Sequence, residues 1–260
     1  MNKIVSLILI VICLFSFSEL KASHAMGADL TYECLGGDQY RITLAFYRDC
    51  SGISAPIDVS LILTSTCGDN VTTTLTRVSL TGAEISPVCP TINTRCSGGT
   101  YTGVQKWEYE RVITLPSDCD EWIFAFEGAD NFSGRSGDIS TINNPGNTYL
   151  YVESYLNVNL APCNNSPTFS NDPVPFICIG QEFCFNHGAT DSDGDSISYE
   201  LITPMTSANT TVQYLNSYSN LDPLVTTTGL AFNEVTGDLC MTPSMAQASV
   251  MGVLVKEYRN

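Results

Sequence analysis

Apolar and polar residues alternate along much of this chain with a period of two, the repeat of a strand that turns one face to a core and the other to solvent. Between residues 40 and 47 the set Tyr40, Ile42, Leu44 and Phe46 alternates with Arg41 and Thr43, which predicts a half-buried strand. Further strands are predicted over residues 57–64, 71–80, 107–114, 121–127 and 148–158, separated by clusters of Gly, Pro, Asn and Asp. Long helical periodicity is scarce, and Thr, Val, Ile, Tyr and Phe are plentiful. Short strands with this punctuation predict an all-β chain of β-sandwich type with Greek-key connections.

The pattern breaks near residue 161, where Pro162, Cys163, Asn164, Asn165, Ser166 and Pro167 bring turn formers and two prolines together. That stretch predicts a linker over residues 161–166 between two tandem β-sandwich domains, residues 23–160 and 167–260. In the second, strands are predicted over residues 176–185, 197–201, 239–242 and 249–258. Its final apolar run enters a turn with no strand after it, so this sandwich is expected to be incomplete, with an open edge.

At the amino end, Lys3 precedes an almost unbroken apolar run over residues 4–17, followed by Ser18 and Glu19 and then by the small residues Ala22 and Ser23. This is the pattern of a secretory signal peptide over residues 1–22, with Ala25 as a second cleavage point. The run is short for a bilayer span, and no later stretch is long and apolar enough to predict a transmembrane segment in the mature chain. The formal charge is −16, from 27 acidic and 11 basic residues. Such a balance argues against nucleic acid or an anionic membrane surface as partner and favours divalent cations. Removing the leader takes Cys13 from the 11 cysteines and leaves an even number, which in a secreted chain predicts disulfides. Zinc is disfavoured: there is no Cys-x-x-Cys pair, and the histidines are His24 and His187 alone.

The densest candidate chemistry is the run Asp191, Asp193, Asp195, three carboxylates on alternate residues around Gly194. In an extended or looped backbone alternate side chains point the same way, so the three converge and repel unless a cation lies between them. Hard oxygens around a tight bend suit Ca²⁺. An EF-hand is excluded, because the twelfth position is Ile202 rather than Glu and the following residues have strand character. A solvated Asp/Gly turn is the alternative. Tyr149, Tyr151 and Tyr155 share one strand face, opposite Leu150, Val152, Leu156 and Val158; the stripe suits either cross-strand packing or a platform for a sugar or protein partner. Catalysis is not expected. His187 has no second metal-binding His beside it and the chain has no Gly-x-Ser-x-Gly elbow. Asp118, Asp120 and Glu121 have the residue types for glycoside hydrolysis, but neighbours in a turn do not make the cleft that two carboxyls roughly 5–9 Å apart must flank. The Gly-rich loop over residues 130–138 is expected to be mobile.

Three motifs in the second unit resemble the cadherin family. Asn165-Ser166-Pro167-Thr168-Phe169 is similar to the linker that opens a cadherin repeat, Ala189-Thr190-Asp191-Ser192-Asp193 to its Ala-x-Asp-x-Asp calcium motif, and Phe232-Asn233-Glu234-Val235-Thr236-Gly237-Asp238-Leu239 to its later strand, turn and strand. The resemblance implies a Greek-key sandwich with Ca²⁺ near the linker, Asp191 and Asp193 as ligands and Asn165 as a linker ligand. Asn164-Asn165 stands for the full Asp-x-Asn-Asp-Asn linker, and the first unit has no Asp-Arg-Glu, so one ion is expected rather than a cluster. It further implies that Cys184 and Cys240 lie on pairing strands and form a bridge, leaving Cys163 with Cys178. In the first unit, Cys89 and Cys96 flank a short loop that a bridge would close. Cys34, Cys50, Cys67 and Cys119 then supply two more, with Cys50–Cys67 the more local pairing.

Residues 23–37, Tyr47-Arg48-Asp49-Cys50 and Glu257-Tyr258-Arg259-Asn260 are similar to the amino-terminal part of large exported surface proteins of gliding Bacteroidota-type bacteria. That resemblance implies a cell-surface location, downstream immunoglobulin-like or PKD repeats of the same polypeptide, and a carboxyl-terminal domain for type IX secretion. The expectation is a calcium-stabilised, disulfide-linked surface module for adhesion or display with an extracellular protein or glycan ligand. The alternative is an extracellular carbohydrate-binding or glycoside-cleaving protein.

Overall fold

A computed structural model describes residues 25–89, 91–128, 134–173 and 176–259. The predicted leader with its first cleavage point, His24, and residues 130–133 of the predicted mobile loop lie outside the described residues. The chain is all-β, of the β-sandwich class. Strands β1 (Ala25–Gly36), β2 (Gln39–Asp49), β3 (Asp58–Ser65), β4 (Asn70–Arg77), β5 (Ala83–Glu84), β6 (Val104–Thr114), β7 (Glu121–Glu127) and β8 (Tyr151–Asn157) form one antiparallel sheet of eight strands. Its order is β1-β2-β6-β4-β3-β7-β8, with β5 paired to β6, so the β3–β4 hairpin is inserted between β6 and β7, both of which the chain reaches later.

The alternating face read from residues 40–47 is the buried one: Ile42, Leu44 and Phe46 meet Leu61 of β3, Tyr109 of β6 and Trp122 of β7 in one apolar core. The two ends of the sheet curl toward each other to enclose it. The Tyr32 hydroxyl of β1 donates to the Tyr155 carbonyl of β8 at 3.0 Å, and the Ser154 hydroxyl donates to the Leu30 carbonyl. The outcome is a sandwich rolled almost into a barrel.

Beyond the linker the strands are shorter: β9 (Thr168–Phe169), β10 (Phe183–Phe185), β11 (Ala189–Thr190), β12 (Ser196–Ile202), β13 (Met205–Ser207), β14 (Thr210–Thr211), β15 (Thr226–Phe232), β16 (Leu239–Pro243) and β17 (Gly252–Tyr258). They form a three-stranded sheet β10-β16-β15 and the pairs β12–β17, β9–β11 and β13–β14. Leu201 of β12 packs on Leu239 and Met241 of β16, which faces the β12–β17 layer against the three-stranded one. The turn from β15 to β16 is fixed by Asn233, whose Oδ1 accepts from the Val235 and Thr236 amides at 2.9 and 3.1 Å. Gly237 follows at φ 76°, and a Cβ there would meet the Tyr199 ring at 2.8 Å, so glycine is required twice over.

The linker is laid along β1 rather than free. Ser166 exchanges backbone and side-chain bonds with Tyr32, its amide donating to the Tyr32 carbonyl at 2.9 Å and its hydroxyl accepting from the Tyr32 amide at 2.8 Å. Elsewhere Ile139 and Ile142 pack on Val212 and Val250. The described part of the 130–138 loop is pinned too: Arg135 is buried and donates to the Met205 carbonyl at 3.0 Å.

Four disulfides are present among the described residues. Cys184 and Cys240 face each other in the β10–β16 register and are bonded, as the cadherin resemblance implies. The other pairings differ from expectation, each because strand order brings distant turns together. Cys163 bonds Cys34 rather than Cys178, since the linker runs beside the end of β1. Cys96 bonds Cys50 rather than Cys89; the Cys50 amide donates to the Gly103 carbonyl, which sets the end of β2 beside the segment leading into β6. Cys67 bonds Cys119 rather than Cys50, and Cys119 is thereby not available to Cys34: β3 pairs with β7, so the turn after β3 stands beside the turn before β7. Cys89 and Cys178 are exposed and unbridged.

Candidate metal centre

The acidic run lies where the second unit meets the first. It connects β11 to β12, and the β12–β17 register sets Ile197 opposite Glu257 and Ser196 opposite Tyr258. A loop leading into β12 must therefore pass over the end of β17. Gly194, at φ 86°, supplies the left-handed bend. Asp191 organises the turn: its Oδ1 accepts from the Asp193 amide at 2.9 Å and the Asp195 amide at 2.8 Å.

One carboxylate oxygen each from Asp191, Asp195 and Glu257 lies within 4.8 Å of the others. Glu257 carries no signal of its own in the local pattern; only the strand pairing brings it here. Asp193 and Asn165 sit beside this group but face each other. Asn165 donates to Asp193 twice, from its backbone amide at 2.8 Å and its side-chain amide at 2.7 Å, while its Oδ1 accepts from the Cys34 amide at 2.8 Å. Asn164, part of the linker motif but given no ligand role there, donates to Glu257 at 3.3 Å and to the Tyr32 hydroxyl at 3.2 Å. Arg259 forks onto Asp195, with Nη2 2.8 Å from Oδ2, and reaches the Asn164 Oδ1 at 2.8 Å.

The electrostatics are unbalanced. Burial, and then the hydrogen bond shared with Asp191, push the Glu257 carboxyl up to about 8. Burial alone would raise Asp191 as well, but that shared bond and the Asp195, Asp193 and Gly194 amides outweigh it and hold Asp191 below the usual carboxylate range. The remaining Asp191 oxygen, Oδ2, is buried with no fixed donor among the described residues. Two facing carboxylates need either a proton or a cation between them. The donor set Asp191, Asp195 and Glu257 is all hard oxygen and fits Ca²⁺. Asp193 and Asn165 would then hold the loop to the linker, and Arg259 offsets the charge on the outer side.

A second polar group crosses between the units. His187, in the loop between β10 and β11, packs its ring against Phe169 and Phe185, with centroids 4.8 and 5.5 Å away, and sets Nε2 3.7 Å from Asp29 of β1. The Tyr47 hydroxyl bridges Asp29 at 2.9 Å and Asp172 at 3.1 Å, and Lys106 pairs with Asp172 at 3.2 Å. Burial raises the Asp29 carboxyl and lowers the His187 imidazole.

The tyrosine stripe divides. Tyr151 is buried with its hydroxyl on Glu153, whereas Tyr155 and Tyr149 are exposed. Tyr149 lines a polar cleft of about 560 Å³ with Asn143, Asn147 and Gln213. Asp118 and Asp120 are exposed in the turn before β7, and Glu121 accepts from Tyr155 and Asn157. No helix among the described residues is long and apolar enough to cross a membrane. Searches of protein-family models, curated proteins and solved structures return no match to this chain.

Proposed function

We propose that this chain is a non-catalytic, exported cell-surface module in which Ca²⁺ clamps the second β unit to the first, serving adhesion or display within a larger surface protein of the gliding, type IX secretion kind. The observation that carries the reading is the clustering of Asp191, Asp195 and Glu257 carboxylates, with Asp191 Oδ2 buried, beside a linker held by Cys34–Cys163. Four disulfides support an oxidising, extracellular location. A clamp at the junction fixes the direction in which the second unit, and whatever follows it, projects from the first, which is what a display stalk requires. The reading treats residues 23–160 and 167–260 as two domains; the strands after residue 168 pairing among themselves support that division.

Calorimetric titration of Ca²⁺ into chelator-treated full chain tests the clamp: one binding event is expected, removed by Asp191→Asn. No heat and no change in melting with EDTA would end the proposal. Adhesion is tested separately, by binding of the calcium-loaded chain to immobilised extracellular proteins and glycans. The polar cleft lined by Tyr149, Asn143, Asn147 and Gln213 favours a second reading, carbohydrate binding. Glycan binding lost in Tyr149→Ala but insensitive to EDTA would move the assignment there.

A further inference from the structure

Eight of the cysteines among the described residues are bonded in pairs, and the two that remain, Cys89 and Cys178, come one from each unit. Both are exposed. Each also opens a hydrogen-bonded turn: the Cys89 carbonyl accepts from the Ile92 amide at 2.9 Å, and the Cys178 carbonyl from the Gln181 amide at 3.4 Å. The two turns border the same space. A cleft of about 420 Å³ is lined by Val88, immediately before Cys89, and by Phe176, two residues before Cys178, with Tyr101 and Gln247 among its other walls.

We infer that Cys89 and Cys178 form a fifth disulfide, which straps the first unit to the second across the mouth of this cleft. Surface turns supply the adjustment a bridge needs, since its Cα atoms must come within about 4.4–6.8 Å and no core residue has to move. The rival pairings are blocked, because Cys96 and Cys184, the nearest alternatives in sequence, are already joined to Cys50 and Cys240, and Cys163 to Cys34. The oxidant is a small-molecule or protein disulfide. One thiolate attacks it to give a mixed disulfide, and the second thiolate displaces the carrier, so two protein thiols become one bridge and one carrier disulfide becomes two thiols. Both sulfurs lie at exposed positions, so reductant can reach this bridge, and its state sets whether the cleft is closed or open.

The test is full chain equilibrated with reduced and oxidised glutathione, alkylated without reduction and mapped by peptide mass. The expected result is a Cys89–Cys178 peptide pair in monomeric protein, no alkylated cysteine, and selective reopening of this pair at reductant concentrations that leave Cys184–Cys240 intact. Alkylation or separate glutathione adducts at both positions would overturn the inference. So would a Cys89–Cys89 or Cys178–Cys178 link between two chains, or pairing of either residue with Cys96 or Cys163. In Cys178→Ser, which removes no bridge present in this structure, one new reactive thiol at Cys89 is expected; one fewer alkylated site in that variant than in the parent would also overturn it.

Discussion

The two units are built from the same kind of strand and are held together in different ways. In the first, long strands of up to 12 residues enclose Phe46, Tyr109, Trp122 and Phe124, all fully buried. In the second, the buried apolar centre is Leu201, Leu239 and Met241, with strands of seven residues at most. Its order leans more on polar turns and a charged junction, with one cross-strand disulfide against the two inside the first unit. The difference teaches where external conditions can act: apolar burial is indifferent to chelators and reductants, whereas bridges and facing carboxylates are not.

The comparison breaks most sharply at Trp122. This side chain is wholly buried, and its Nε1 donates to the Cys119 carbonyl at 2.7 Å. Trp122→Ala is expected to cost about 5 kcal/mol, the upper end for a large core deletion, because it leaves both a cavity and an orphaned acceptor. Urea unfolding followed in the first unit checks it; a cost under about 1 kcal/mol would mean the core is not what holds that unit. The counterpart in the second unit is the double substitution of Cys184 and Cys240 by Ser. For a separation of 56 residues the chain-entropy model gives about 4 kcal/mol. The loss should fall on the second unit while the first melts as before, and a shared loss would show that the two do not unfold separately.

Trp122 and Cys184–Cys240 also mark what the sequence makes legible. The first unit was readable because its core strands alternate cleanly, as β2 does. β1 was not, since its small residues Gly27 and Ala28 dilute the alternation and bulges interrupt its register with β2 at both ends. β15 was hidden by Thr226, Thr227, Thr228 and Gly229, polar residues that local pattern assigns to a loop. The predicted strand over residues 176–185 shrinks to Phe183–Phe185 because a turn at Gly180, bonded to the Pro243 carbonyl, takes its first half. At the junction the acidic run was visible as a motif. The roles of Glu257 and Arg259 were not, because their membership depends on which strand pairs with β12, which is not a local property.

The junction itself sharpens the comparison at a smaller scale. Ca²⁺ at a hundred times its dissociation constant should stabilise the second unit by about 2.7 kcal/mol through mass action, with EDTA lowering its melting temperature and leaving the first unit's unchanged. Glu257→Gln separates the two ways of relieving the facing carboxylates. If a cation lies there, the amide removes a ligand charge and affinity should fall at least tenfold, about 1.4 kcal/mol. If a proton alone bridges Asp191 and Glu257, the amide supplies the same donor, and stability should be unchanged with or without chelator.

The smallest expected effect concerns His187 and Asp29, which face each other across the units with Tyr47, Asp172 and Lys106 around them. His187 titrates below its ordinary 6.5 because burial disfavours the charged ring, against the pull of Asp29 and Asp172. The unfolded chain therefore takes up a proton at higher pH than the folded one does. The stability this group contributes is present above 6.5 and is lost as pH falls through the folded value. Asp29 has the opposite sign: its carboxyl is raised above 3.8 by burial, so its contribution is complete below 3.8 and is lost as pH rises through the folded value. Where the two windows overlap the groups pull against each other, and the net slope is shallow. Removing one should expose the other. Urea midpoints measured from pH 7.5 to 4 should fall less on acidification in His187→Gln than in the parent, and more steeply in Asp29→Asn. Identical slopes in all three proteins would show that this buried pair does not couple the contact between the units to pH.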